Sequence, residues 1–318
     1  MKGRPSAILG LVWLVFASLH AVAQPATDGV EAVGLTVSNM EASVAYYCRV
    51  LNFEKVSDVM IWDAELRTNV RVVRIRLGEE QLVLSQFTHT KSHAQTTELH
   101  SNDLSFQHVA IVVSDMDQAY DWLRRNNVHH VSSGPQTLPA WNKEAAGIQA
   151  FYFEDPDKHV LEIIHFPQGK GDPRWGRNSG GLFLGIDHTA IVVSDTVQSR
   201  AFYTGKLAMH VTGESENYGY EQEHLNNVFG AHLRITSLHA AAGPGIEFLE
   251  YLSPRTGRPI PSGNRRGDSN YWETILRQAD VVEGGGNKKT LRLRDPDGHI
   301  IAIDEGAPLN NSLKETER

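Results

Sequence analysis

The sequence predicts an α+β protein built from four strand-helix-strand-strand-strand (βαβββ) modules, the fourth abbreviated, and three observations predict it. The stretch from His108 to Asp115 recurs from His188 to Asp195 with a change only at its second residue. Each copy is followed, 54 residues after His108 and 59 after His188, by a strand-like run that carries a glutamate, Glu162 or Glu247. The helical pattern Ser43, Ala45, Tyr47, Leu51 returns as Ser199, Ala201, Tyr203, Leu207. A repeat of this size is a supersecondary unit that buries its apolar face only against another copy, so it dictates the architecture.

Module 1 opens with the apolar run Val30 to Val37. Ser38-Asn39-Met40-Glu41 is a capping box, and Met40, Val44, Tyr47 and Leu51 form an apolar stripe at helical spacing. Strands follow at Val72 to Leu77 and Gln81 to Phe87. Module 2 has a strand at Phe106 to Val113, a helix at Met116 to Asn126, and strands at Gln149 to Phe153 and His159 to Phe166 on either side of the turn Asp155-Pro156-Asp157. Module 3 repeats this with strands at Gly185 to Val193, His232 to Thr236 and Gly245 to Leu252. Module 4 has no room for a helix: Tyr271 to Arg277 runs through Val281-Val282 and a Gly-rich stretch into Thr290 to Arg294, the turn Asp295-Pro296-Asp297-Gly298 and His299 to Ile303. Pro167 to Gly181 and Ser253 to Ser269 read as surface connections, the second a candidate mobile flap.

The partition is therefore a signal segment at 1–23, modules 1 and 2 at 30–166, a linker at 167–181, modules 3 and 4 at 182–306, and a tail at 307–318. The signal reading rests on Lys2 and Arg4, the apolar run Ala7 to Leu19 and the small residues Ala21-Val22-Ala23, which predict cleavage before Gln24 and a periplasmic or secreted protein. Thirteen apolar residues are too few to span a bilayer, which takes roughly 20. The single cysteine, Cys48, excludes a disulfide framework. A net charge of −8 with no long basic block argues against nucleic-acid or membrane partners and for a small-molecule substrate.

Four such units, two of them opening on His-x-x-Ile-Val-Val-Ser-Asp and two with an Asp-Pro-Asp-x-His turn before the last strand, resemble the vicinal oxygen chelate superfamily, which includes glyoxalase I, extradiol dioxygenases, epimerases and bleomycin resistance proteins. The resemblance covers nearly all of the chain after the signal segment. It implies that paired modules curl mixed sheets into two cups, with metal ligands on the first and last strands of each module. The first-strand places then fall on Ala32, His108, His188 and Trp272, and the last-strand places on Val83, Glu162, Glu247 and Ala302. Pairing the modules in sequence gives each cup one His and one Glu, fewer than the three ligands usual at catalytic metals. Pairing 2 with 3 and 1 with 4 brings His108, Glu162, His188 and Glu247 together, and that crosswise arrangement is expected. A chain with four modules completes its own cups, so a monomer or weak homodimer is expected.

Such a His₂Glu₂ set suits Zn, Ni, Co, Mn or Fe(II). An octahedral ion held by four side chains keeps two places open, which suits a substrate oxygenated on adjacent carbons, and Glu162 or Glu247 is the candidate proton carrier. The resulting expectation is an exported, glyoxalase-like metal-dependent lyase, isomerase or epimerase acting on a small oxygenated metabolite. The alternatives are a metal-free small-molecule binding or sequestering protein and an Fe(II) extradiol dioxygenase. Beyond the metal, His224 and Asn226 in a polar loop, Arg234 on the strand after it, and Tyr251 on a closing strand are candidates for substrate binding.

Overall fold

The computed structural model describes residues 27–88, 98–176, 180–278 and 289–305. The signal segment, His89 and His93, the run Val281 to Gly286 and the tail lie outside the described residues.

Module 1 contributes β1 (Thr27–Thr36), α1 (Met40–Val50), β2 (Glu54–Asp63), β3 (Thr68–Leu77) and β4 (Glu80–Phe87). Module 2 contributes β5 (Gln107–Val113), α2 (Met116–Arg125), the two-residue strands β6 (His129–His130) and β7 (Gln136–Thr137), β8 (Gln149–Glu154) and β9 (Val160–His165). After a 3-10 turn at Pro173–Gly176, module 3 runs through β10 (Phe183–Val192), α3 (Thr196–Lys206), β11 (His210–Tyr218), α4 (Tyr220–Asn226), β12 (His232–His239) and β13 (Gly245–Ser253). Module 4 supplies β14 (Trp272–Gln278), β15 (Lys289–Arg294) and β16 (Ile300–Glu305). The helices start where an Asx side chain accepts from the first turn: Asn39 from the Ala42 amide, Asp115 from Gln118, and Asp195 from Val197 and Gln198.

The pairing is crosswise. One sheet of nine strands is ordered β11-β12-β13-β10-β5-β9-β8-β6, with β7 on β8, and joins modules 2 and 3. The other, of seven, is ordered β15-β16-β14-β1-β4-β3-β2 and joins modules 1 and 4. In each, an antiparallel central pair, β5 with β10 or β1 with β14, is flanked by parallel last strands. Alternation splits every strand between two environments. Val109, Ile111 and Val113 join Val33, Leu35, Tyr47 and Leu51 in a core under α1 and α2, while Ile191 and Val193 join Tyr203, Phe248 and Ile303 in a second core under α3. His108, Ala110 and Val112 face the other way, into the cup.

The two Asp-Pro-Asp turns tie the sheets together. Tyr47 of α1 donates its hydroxyl to Asp155 (2.9 Å), and the Ser38 amide donates to Asp157 (3.0 Å). In the second half Tyr203 of α3 donates to Asp295 (3.2 Å), and the Ser194 amide donates to Asp297 (2.9 Å). Modules therefore share sheets as 2 with 3 and 1 with 4, and are clamped through turns as 1 with 2 and 3 with 4. His159 meets the Asp155 carboxylate (2.9 Å) and His299 the Val192 carbonyl (2.9 Å), so both serve the turns.

Two expectations need correcting. Trp272 is not a ligand place: β14 lies on β1 with Gly34 opposite Glu273 and Ala32 opposite Ile275, so Glu273 faces the cup, and Trp272 packs its ring against His159 beneath it. One residue of register exchanges the faces, and the degenerate module 4 sequence does not fix it. The stretch Ser253 to Ser269 is pinned rather than loose, because Arg258 pairs with buried Asp103, the Leu104 amide donates to Arg258, and Arg266 pairs with Asp63.

Candidate metal centre

The nine-stranded sheet brings the two histidines together from opposite directions. On the antiparallel central pair, His108 lies opposite Ala190 and His188 opposite Ala110, so their rings meet across small residues at 5.7 Å between centroids. The parallel neighbours complete the set: β9 places Glu162 beside Ala110, and β13 places Glu247 beside Ala190.

Glu162 is central. Its Oε2 lies 3.0 Å from His108 Nε2 and 3.7 Å from His188 Nε2, and the three side chains offer ligand atoms within 4.8 Å of one another. Glu247 approaches from the opposite side, with Oε2 3.6 Å from His188 Nε2. Its other oxygen accepts from the Ser237 hydroxyl (3.0 Å). His108 is fully buried, whereas the Glu247 side chain keeps 19% of its surface exposed.

Both Nε2 atoms are buried and have no hydrogen-bond partner; the short approach of Glu162 to His108 is not aligned as a hydrogen bond. Orphaned polar atoms are rare in folded proteins and point to a ligand. His188 is steered from behind, since its Nδ1 meets Asp187 Oδ2 at 2.9 Å, leaving Nε2 to face the centre. His108 is held by packing instead, against Tyr152 at 4.7 Å and Phe106 at 5.8 Å. Burial alone would pull the His188 imidazolium down, but Glu247, Asp187 and Glu162 outweigh it and push the pKa up to about 10. Asp187 stays below the ordinary carboxylate range despite its burial, because His188 and Trp175 hydrogen-bond to it. The cluster thus demands positive charge at the point where two orphaned nitrogens and two carboxylates converge. A divalent ion would take the place of that proton, so the donor set fits a metal.

The cup is a cavity of about 580 Å³. Tyr152, Ile164, Leu225 and Ile235 line its apolar side, and Asn217, Gln222 and Ser237 add polar groups. Of the four substrate-binding candidates, none lines this cavity. Tyr251 and Asn226 are buried behind it: the Asn226 amide donates to the Tyr251 hydroxyl (2.7 Å) and accepts from Gln222. His224 sits on α4 with its ring tilted against Tyr220 at 4.0 Å between centroids and bonded to Ser133. Arg234 points off the opposite face of β12, paired with Glu250 at 3.1 Å, while its neighbours Ile235 and Ser237 line the cup. Gln222 lies in the polar stretch expected to be a loop, which instead forms α4; that helix is not legible because Gly219 supplies no side-chain cap and seven residues carry too little periodicity.

Residues 29–163 match the model of the Glyoxalase/Bleomycin resistance protein/Dioxygenase superfamily. A 2-epi-5-epi-valiolone epimerase of Actinomyces sp is 26% identical over 156 residues, which cover 46% of this chain and 83% of that protein. Glyoxalase I from Zea mays shares the fold at a TM-score of 0.57 and 12% identity, covering 88% of this chain and 92% of its own. A point mutant of the same enzyme gives a TM-score of 0.60 at 13% identity, with the same coverage.

Proposed function

We propose that this chain, whose residues 29–163 match the glyoxalase, bleomycin resistance protein and dioxygenase model, is a divalent-metal-dependent lyase, isomerase or epimerase acting on a small oxygenated metabolite in the cup between modules 2 and 3. The observation that carries this is the pair of buried, unpartnered Nε2 atoms of His108 and His188 facing two carboxylates.

His108, His188 and Glu162 would hold the ion, with Glu247 as a fourth donor. When bound, the metal supplies Lewis acidity toward substrate oxygens. Glu247 is the proton carrier in this reading. It is the more exposed carboxylate, reaches the cup wall, and rests on a Ser237 hydroxyl that supports it in either protonation state. Glu162, wedged between two imidazoles, has no such freedom. Tyr152 and Ile164 give the cup an apolar lining. The epimerase relative supports an isomerase class, since epimerisation next to a carbonyl needs a base, a polarised oxygen to hold the enolate charge and a proton delivered to the opposite face, which here would come from solvent entering the cup.

A second reading has its own observation. The three tightest donors are two histidines and one carboxylate, the set used by Fe(II) oxygenases. Oxygen uptake on catechols by the Fe(II)-loaded protein distinguishes it. The proposal includes export, with a mature chain starting near Gln24, and a monomer or weak homodimer, since one chain supplies every donor of the cup.

Elemental analysis of the purified protein beside a His108→Ala, His188→Ala double variant tests the core of the proposal. One equivalent of Zn, Ni, Co, Mn or Fe lost in the variant supports it. No uptake of any of these ions by the wild type overturns it and leaves a metal-free binding protein.

A further inference from the structure

We propose that Trp175, in the connection between modules 2 and 3, is a positioning residue for the metal centre: it holds Asp187, and Asp187 holds His188. The inference rests on the metal-dependent reading of the cup and adds to it a segment that composition marks only as a linker.

The geometry is a relay of named contacts. Asp187 uses its two oxygens for different partners: Oδ2 meets His188 Nδ1 at 2.9 Å, and Oδ1 accepts the indole Nε1–H of Trp175 at 2.8 Å. The indole is fixed in turn. The Arg174 guanidinium lies 3.9 Å over its ring, and Arg174 pairs with the buried Glu80 of β4 at 2.5 Å. The second Glu80 oxygen accepts from the Ile186 amide at 3.0 Å, just before Asp187. Gly185 makes room for this arrangement, since a Cβ there would stand 2.5 Å from Glu80 Oε2 and 2.8 Å from the Trp175 ring. The same connection also builds the cup wall through Gly171, Asp172 and Pro173.

The other sheet supplies a contrast at the matching position. Asp187 stands at the register shift before His188, and Glu31 at the register shift before Ala32. Glu31 is paired with Arg74 at 2.8 Å, a cation that satisfies its charge. Asp187 receives a neutral indole N–H instead, so it is oriented without being neutralised and keeps its charge for the imidazole. A carboxylate in that role fixes the tautomer that presents Nε2 and raises its basicity as a ligand.

The test uses the full-length mature protein with the variants Trp175→Phe and Asp187→Asn, read by Co(II) titration and by ¹⁵N-histidine spectra of the metal-free protein. Trp175→Phe keeps an aromatic ring under Arg174 while removing the N–H together with the indole's second ring. It is expected to weaken Co(II) binding about tenfold and to shift the His188 Nδ1–H signal, with Asp187→Asn costing about a hundredfold. A Trp175→Phe protein that binds Co(II) within about twofold of wild type, with the His188 signal unmoved, overturns the inference. Should Trp175→Phe fail to fold by circular dichroism, Arg174→Met leaves the indole in place and loosens its seat. The same signal must then move, and its constancy overturns the inference equally. If wild type takes up no Co(II), the metal-dependent reading has failed, and the histidine spectra alone decide whether Trp175 sets the hydrogen bond between His188 and Asp187.

Discussion

The two cups share one scaffold and differ in what they leave unsatisfied. Around the central pair of the nine-stranded sheet stand His108, His188, Glu162 and Glu247; the same four register places in the other sheet hold Ala32, Glu273, Val83 and Ala302. Ala32, Val83, Ile275 and Ala302 close into a small apolar floor, and Glu273 is consumed by Arg292 at 2.9 Å and the Tyr271 hydroxyl at 3.1 Å. The first cup buries three imidazole nitrogens without partners, both of His108 and Nε2 of His188, whereas Glu273 in the second is paired. Polar burial without partners costs on the order of 1–3 kcal/mol per group, so among the described residues this difference is what singles out the first cup in the proposed function.

The largest effect that sharpens this contrast is on metal content. The His108→Ala, His188→Ala variant should hold no metal, whereas Glu273→Gln in the other cup should leave the content measured by mass spectrometry unchanged. Metal released by Glu273→Gln would erase the distinction between the cups. Within the cup between modules 2 and 3, the proposed function expects Glu247→Gln to keep its metal and lose about 10²- to 10⁴-fold in turnover of a dicarbonyl or hydroxy-acid substrate. Glu162→Gln should instead lose metal affinity, and the reverse pattern would exchange the two roles.

A smaller effect concerns the clamps. Tyr47→Phe and Tyr203→Phe each remove a buried hydroxyl donating to a carboxylate, and denaturant melts should show losses of about 1.5–3 kcal/mol, larger for the shorter Tyr47 contact. The clamp at module 2 also titrates. Burial pulls the His159 imidazolium down, but the Asp155 carboxylate outweighs it and raises the pKa above its ordinary 6.5. A raised folded-state pKa means that this stabilisation is full below about pH 6.5 and fades as pH rises through the folded value. The gap in melting temperature between wild type and His159→Gln should therefore narrow from pH 6 toward pH 9; a gap that widens would refute the assignment. The smallest expected difference is at the helix starts, where Asp115→Ala and Asp195→Ala should each cost about 1 kcal/mol.

Much of this was legible in the sequence because it repeats. The second copy of His108-to-Asp115 fixed both central strands, and the glutamate that follows each copy is brought beside the histidines as expected. What stayed illegible has physical reasons. The strand β2 is exposed along almost its whole length, so no buried face imposes alternation on its sequence, and β11 is similarly exposed. Glu273 was hidden by a single residue of register on β14. Trp175 and Asp187 are twelve residues apart, and their contact exists only because β10 bends at Asp187 while the preceding turn folds back over it. Arg234 looked available because its partner Glu250 lies on the adjacent strand, a pairing that sequence order alone does not show.

The crosswise sheets have a consequence for how the chain is made. When the first half of the protein has emerged, β1 and β5 are each paired on one side only, with β4 and β9, and their partners β14 and β10 are still unsynthesised. Both are nearly wholly buried strands in the finished molecule, so each waits as a bare apolar edge. β5 waits for the residues just past the connection, and β1 for almost the last of the chain. Slow, long-range pairing of this kind leaves the half-made protein open to association with other chains, and the N-terminal half expressed alone should aggregate rather than fold.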